Sequence, residues 1–137
     1  MFSSSNIQVM SNAILKASKN LRRDFGELEK LQNSKTSVAS FVENSFKNTQ
    51  ELIFKELKNA RPDWKFYFKK YDDEDLKNKT DEKFCVIKPI SGISNFSKGI
   101  SYFASSVIYF NNLIPEAVVI YDPIKDELFY SERGKGA

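Results

Sequence analysis

The side chains able to do chemistry in this 137-residue chain are few, and their types exclude more than they admit. There is no histidine, which removes the commonest general base, the commonest transition-metal ligand and the usual switch near neutral pH. The single cysteine, Cys85, lies in the apolar run Phe84-Cys85-Val86-Ile87 with no cation adjoining it. That is the setting of a buried structural thiol, not of a nucleophile. One cysteine forms no internal disulfide, so a reducing, cytoplasmic compartment is expected. Carboxylates crowd the stretch Tyr71 to Lys83, where Asp72, Asp73, Glu74, Asp75, Asp81 and Glu82 mix with lysines. Calcium would require loop spacing and a glycine turn that this stretch lacks, so it reads as a solvated loop. Just before it stands the cation pair Lys69-Lys70.

The formal net charge is only +3, and the basic residues are scattered, so direct nucleic-acid binding is not expected. No apolar run approaches the ~20 residues of a membrane helix, and Met1 to Asn6 has no signal-peptide pattern. The length suits one domain, residues 1–137, with a helical pair over about 5–61 and a sheet region over about 64–137.

The elements that must position any site follow from periodicity. Ile7, Met10, Ile14, Ala17, Leu21, Phe25 and Leu28 mark one face of a helix, with Ser5 or Asn6 as its cap and Gly26 a weak point near its end. Phe46, Thr49, Ile53, Leu57 and Ala60 mark a second helix that stops before Arg61-Pro62. The polar segment Gln32 to Ser40 reads as the linker between them. Strands are predicted at Trp64 to Phe68, Phe84 to Ile87, Tyr102 to Phe110 and Ile114 to Tyr121, with a last strand over Glu127 to Glu132. Asn111-Asn112 and Asp122 to Asp126 supply the turns of an antiparallel meander. The fold class is α+β, two N-terminal helices packed on an antiparallel β-sheet.

Four landmarks keep their order along the chain. They are Leu21-Arg22-Arg23-Asp24-Phe25-Gly26-Glu27-Leu28-Glu29, Leu57-Lys58-Asn59-Ala60-Arg61-Pro62-Asp63-Trp64, Pro89-Ile90-Ser91-Gly92-Ile93-Ser94-Asn95-Phe96 with Gly99-Ile100, and Tyr121-Asp122-Pro123-Ile124-Lys125-Asp126-Glu127-Leu128-Phe129 with Glu132 to Ala137. Together they resemble the N-terminal half of the inositol monophosphatase family, in particular its bacterial SuhB-type branch. The third resembles a degenerate copy of that family's Asp-Pro-Ile-Asp-Gly-Thr-Thr-Asn-Phe signature. The resemblance implies one half of a layered αβαβα fold, and Mg²⁺-dependent hydrolysis of inositol monophosphate as the family's activity.

The resemblance also implies which positions would carry that chemistry, and here the residues differ. A family Glu-Glu pair corresponds to Lys69 and Lys70, the two signature aspartates to Lys88 and Ser91, and the first threonine to Ile93. The upstream Asp-x-Val-Thr-x-x-Asp element corresponds to Ser40-Phe41-Val42-Glu43-Asn44-Ser45-Phe46, with both acids gone. Hard divalent cations need anionic oxygen ligands, whereas a like charge ~4 Å away costs about 4 kcal/mol per unit charge at an effective dielectric of ~20. The expectation is therefore a truncated, catalytically inactive homologue with no catalytic residue, no bound metal and no cofactor. Two alternatives stand beside it. One is a SuhB-like binding or regulatory module, forming a homodimer or meeting a protein partner through an uncovered sheet face. The other is a metal-free phosphate binder using Gly92, Ser94 and Lys88, where backbone N–H groups opening a helix would face the anion.

Overall fold

The computed structural model describes residues 4–31, 35–69 and 82–135. Helix α1 spans Ser5–Leu28 and runs into a 3-10 turn, Glu29–Leu31; helix α2 spans Lys35–Ala60. All seven apolar residues of the predicted first stripe are buried. Its cap lies one residue earlier than expected: Ser4 Oγ accepts the Ile7 N–H at 3.2 Å. Ser5 and Asn6 instead accept hydrogen bonds from Arg61 at the far end of α2, at 2.7 and 2.9 Å. Gly26 does not end α1. Burial of Phe25 and Leu28 on either side contributes about 1.5–3 kcal/mol each, more than the roughly 1 kcal/mol cost of a helical glycine.

Helix α2 begins well before the predicted stripe. Residues 32–34 lie outside the described set, but Lys35 to Ser40, read as linker, is helical. Val38, Phe41 and Val42 pack with Phe46 in one apolar cluster, and that spacing of three and four is the reason. Ala60, expected on the buried stripe, is exposed. The two helices run antiparallel, joined at one end through Arg61 and at the other by Ser45 Oγ, which donates to the buried Asp24 carboxylate at 2.5 Å.

Five strands follow: β1 (Lys65–Phe68), β2 (Lys83–Ser91), β3 (Ala104–Asn111), β4 (Ile114–Asp122) and β5 (Glu127–Glu132), with a single-turn helix α3 (Ile93–Ser97) between β2 and β3. They form one sheet in the order β1-β2-β3-β4-β5. The α+β class and the antiparallel meander are as predicted. Strand β1 adds to the edge in parallel, pairing Lys65 with Phe84 through Phe68 with Ile87, so the sheet is mixed. The charged stretch between β1 and β2 lies outside the described residues up to Asp81. At the β3–β4 turn the positive φ values fall on Asn112 (54°) and Leu113 (66°), one residue later than Asn111-Asn112; two such residues match the twist of the flanking strands.

Alternation along the strands gives the sheet two unlike faces. Cys85, Ile87, Val107, Tyr109, Val119 and Tyr121 point at the helices and join Ile7, Met10, Ile14, Ile53, Leu57 and Trp64 in one core. Trp64 stacks on Tyr109 with centroids 4.0 Å apart. At the end of the sheet a second cluster gathers Leu21, Phe25, Leu28, Val42, Phe46, Ile90, Phe96 and Phe103. The opposite face carries Tyr67, Phe84, Val86, Lys88, Ser106, Ile108, Phe110, Val118, Ile120 and Phe129, as the strand registers place them.

Candidate functional site

The signature region begins within β2, which runs through Lys88, Pro89 and Ile90 to Ser91 instead of stopping at Ile87. The pairing with β3 shifts between Lys88 and Ser91. Pro89 lacks the N–H that a regular ladder would use, and its carbonyl accepts a hydrogen bond from the buried Ser105 hydroxyl at 2.7 Å. Gly92 then turns the chain with φ of 85° into α3. A Cβ there would lie 2.9 Å from the Tyr102 carbonyl oxygen, so both conformation and space call for glycine. The same oxygen accepts the Asn95 side-chain amide at 2.8 Å. Phe96 is fully buried, its ring 5.9 Å from Phe25 and 5.0 Å from Phe103.

The polar positions are arranged differently. The Lys69 backbone N–H donates to the Ile87 carbonyl at 2.9 Å, continuing the parallel register so that Lys69 sits beside Lys88 on the face away from the helices. The electrostatics agree: the Lys88 ammonium is held below the ordinary lysine range, first by partial burial and then by the charge of Lys69. Lys70 lies outside the described residues. Ser91 and Ile93 flank Gly92, and Ile93 packs against the second cluster. Gly92 and Ser94 are exposed. Because α3 is a single turn, few aligned peptides stand behind its N-terminus, and the field that favours anions at a long helix is weak. Lys69 and Lys88 are thus brought together, while Gly92 and Ser94 belong to the turn beyond the register shift. Cys85 is wholly buried in the core, and burial pushes its thiol far above the ordinary range, as the sequence implied.

Sequence reasoning missed one polar network. Arg22 donates through Nε to the Pro123 carbonyl at 2.8 Å and through a terminal nitrogen to the Tyr121 hydroxyl at 2.9 Å. The Tyr121 hydroxyl donates in turn to Asp126. Burial, and then this bond to Asp126, raise the Tyr121 pKa. The network joins the first and fourth landmarks, about a hundred residues apart in the sequence, and no local pattern signals that they meet.

The fold and this signature turn define a protein of the layered sugar-phosphatase type. A sequence profile of the inositol monophosphatase family matches residues 4–137, and the chain belongs to that family. It is 35% identical over 137 residues to an inositol-1-monophosphatase of Rhizobium meliloti, covering 100% of this chain and 51% of the relative. It is 30% identical over 131 residues to a Nus factor SuhB of Xylella fastidiosa, covering 96% of this chain and 46% of the relative. Among solved structures, extragenic suppressor protein suhB from Bartonella henselae superposes with a TM-score of 0.79 at 33% identity, covering 97% of this chain and 50% of the other. The chain therefore spans about half the length of the curated relatives it matches.

Family membership corrects the expectation that no cofactor belongs here. The family is Mg²⁺-dependent. The residues that this chain does place at the described positions do not fit the ion by themselves. Lys69 and Lys88 offer ammonium groups, Ser91 a neutral hydroxyl and Ile93 no oxygen at all. Among the described residues, no three His, Cys, Asp or Glu side chains converge as ligands would. No described helix is long and apolar enough to cross a membrane.

Proposed function

We propose that this chain is a family member that does not hydrolyse phosphate monoesters on its own. The observation that carries this reading is the adjacency of Lys69 and Lys88 on the far face of β1 and β2, at positions where the family pattern calls for carboxylates. Mg²⁺-dependent phosphomonoester hydrolysis needs anionic oxygens to hold the ion that polarises the phosphate and acidifies the attacking water. Ammonium groups reverse the sign of the field at that point. No described histidine, thiolate or converging carboxylate stands nearby to activate water instead.

The test is release of phosphate from inositol monophosphate by the purified chain in millimolar Mg²⁺, beside a Gly92→Pro variant whose turn cannot form. No release above that of the variant is the expected result. Turnover by the chain that the variant lacks would overturn the proposal.

A second reading is a binding or regulatory role of the kind that the name Nus factor implies for the Xylella relative. The covered core and intact signature turn support it, because such a role needs the scaffold and not the ligands.

A further inference from the structure

The apolar cluster at the end of the sheet is separate from the main core, and the chain crosses from one to the other just after β4. Tyr121 belongs to the core, whereas Ile124 packs against the cluster that holds Phe96 and Phe103. What fixes the turn between them is polar. Arg22 Nε donates to the Pro123 carbonyl at 2.8 Å, and a terminal nitrogen of the same guanidinium donates to the Tyr121 hydroxyl at 2.9 Å. The Tyr121 hydroxyl donates to Asp126, where φ is 55°. The Asp122 carboxylate accepts the Ile124 and Lys125 N–H groups, both at 3.0 Å.

The same turn reaches the signature region. The Lys125 ammonium lies 5.4 Å from the centroid of the Tyr102 ring. The Tyr102 carbonyl is the oxygen that accepts the Asn95 amide and leaves no room for a Cβ at Gly92. Phe103, next in the chain, sets its ring 5.0 Å from Phe96 and 5.1 Å from Phe25. Phe25 stands one turn beyond Arg22 on α1, so the helix that carries the guanidinium also supports the rings beneath the signature turn. The turn after β4 and the turn after β2 thus share one apolar cluster, one side-chain contact and one helix.

We infer that the β4–β5 turn is a strap latched onto α1 by Arg22, and that strap and signature turn open and close as one unit while the rest of the sheet stays formed. Arg22 is then a positioning residue for a turn it does not touch. Proteins open in such cooperative units below the global unfolding limit, and the boundary between the two apolar clusters marks where this unit ends. The latch governs its stability, because a guanidinium that bonds two acceptors in one fixed plane couples charge to geometry. Tyr121 is the fixed post, its ring in the core and its hydroxyl held between Arg22 and Asp126. Release of the guanidinium frees Pro123 and Ile124 together. Departure of Ile124 uncovers the cluster around Phe96 and Phe103, and Tyr102 loses its contact with Lys125. The coupling is reciprocal, as it is for any two sites that share one equilibrium. It concerns the shape of the turn and holds whether or not the chain hydrolyses phosphate esters.

Native-state hydrogen exchange, read by NMR on the full chain, tests it. The Ile124 and Lys125 amides report the strap. The Phe96 and Ile100 amides, bonded to the Gly92 and Asn95 carbonyls at 3.0 and 2.8 Å, report the signature turn. The Asn112 and Arg133 amides, bonded to the Glu82 and Glu116 carbonyls, report the opposite end of the sheet. Arg22→Gln is expected to speed exchange about tenfold at the first two pairs and to leave the third unchanged, since bonds from a charged donor are lost. Tyr121→Phe removes the hydroxyl, keeps the ring and should give the same pattern. Arg22→Lys keeps the charge but not the two-pronged fork, and should restore part of the protection. Asn95→Ala alters no strap residue, yet should also speed exchange at Ile124 and Lys125; a role confined to local packing would leave them unmoved. Faster exchange at the strap alone, an equal rise at every amide, no change with Arg22→Gln and Tyr121→Phe, or a strap indifferent to Asn95→Ala would each overturn the coupling.

Discussion

The turn after β2 and the sheet face just before it lie within a few residues of each other and obey different constraints. In the turn, each residue that matches the family signature has a structural partner. Gly92 admits the Tyr102 carbonyl, Asn95 donates to that carbonyl, and Phe96 fills the space between Phe25 and Phe103. On the face stand Lys69 and Lys88, and the fold forms around them with Lys88 only partly buried. The difference separates two requirements that an active site ordinarily merges. Packing dictates residues that face the core, while ligand chemistry dictates residues that face solvent, and only the first is needed to build this half of the fold.

The largest expected effect breaks the packed side of that comparison. Phe96→Ala removes a fully buried ring from a three-phenylalanine cluster and should cost about 3–5 kcal/mol in urea-unfolding stability. Lys88→Gln, eight residues earlier, should cost far less, since solvent-facing substitutions usually stay within about 0.5 kcal/mol. Comparable losses for the two would dissolve the distinction.

Next in size is Gly92→Ala. The added methyl meets a backbone oxygen, and the residue must keep a positive φ, a combination expected to cost about 1–3 kcal/mol. Asn95→Ala in the same background tests whether the cost is local. If Gly92→Ala has already displaced the Tyr102 carbonyl, the two losses add to less than their sum, and strict additivity would show that the carbonyl is not shared.

How much of this was legible in the sequence depends on whether the signal was local. The α1 stripe, the meander and the buried Cys85 follow from periodicity and an apolar run, and the structure places them there. The first turns of helix α2 are hidden in the sequence because Lys35 to Ser40 is rich in Ser and Thr, although Val38, Phe41, Val42 and Phe46 carry the helical spacing. The parallel addition of β1 was invisible, because strand direction is set by the connection and not by the strand. The signature turn was legible through its resemblance to the family, and the fold places Gly92, Asn95 and Phe96 as a turn requires. The geometry around it was not: no sequence rule puts Lys69 beside Lys88, and the Arg22–Tyr121–Asp126 tie joins residues about a hundred positions apart.

The smallest effect sharpens the solvent-facing side of the comparison by separating the two causes that act on Lys88. Its native pKa lies below the ordinary 10.5, with partial burial the larger cause and Lys69 the smaller. The folded chain therefore releases that proton before the unfolded chain does. Between the lowered native value and 10.5 the unfolded state binds more protons, so Lys88 makes stability rise with pH across that window. Tyr109 and Tyr121 act in the opposite sense, because burial raises both. The folded state keeps those protons longer, and stability falls as pH passes the ordinary tyrosine value of about 10. Subtracting the unfolding free energy of Lys88→Gln from that of the parent chain cancels the tyrosines. The difference should climb as pH rises toward the ordinary lysine value of 10.5 and then level off. In a Lys69→Gln background the climb should shrink yet persist, since burial remains when the neighbouring charge is gone. A climb abolished by Lys69→Gln would make repulsion the main cause, and a flat difference in the parent chain would mean that the fold places no cost on a charge at position 88.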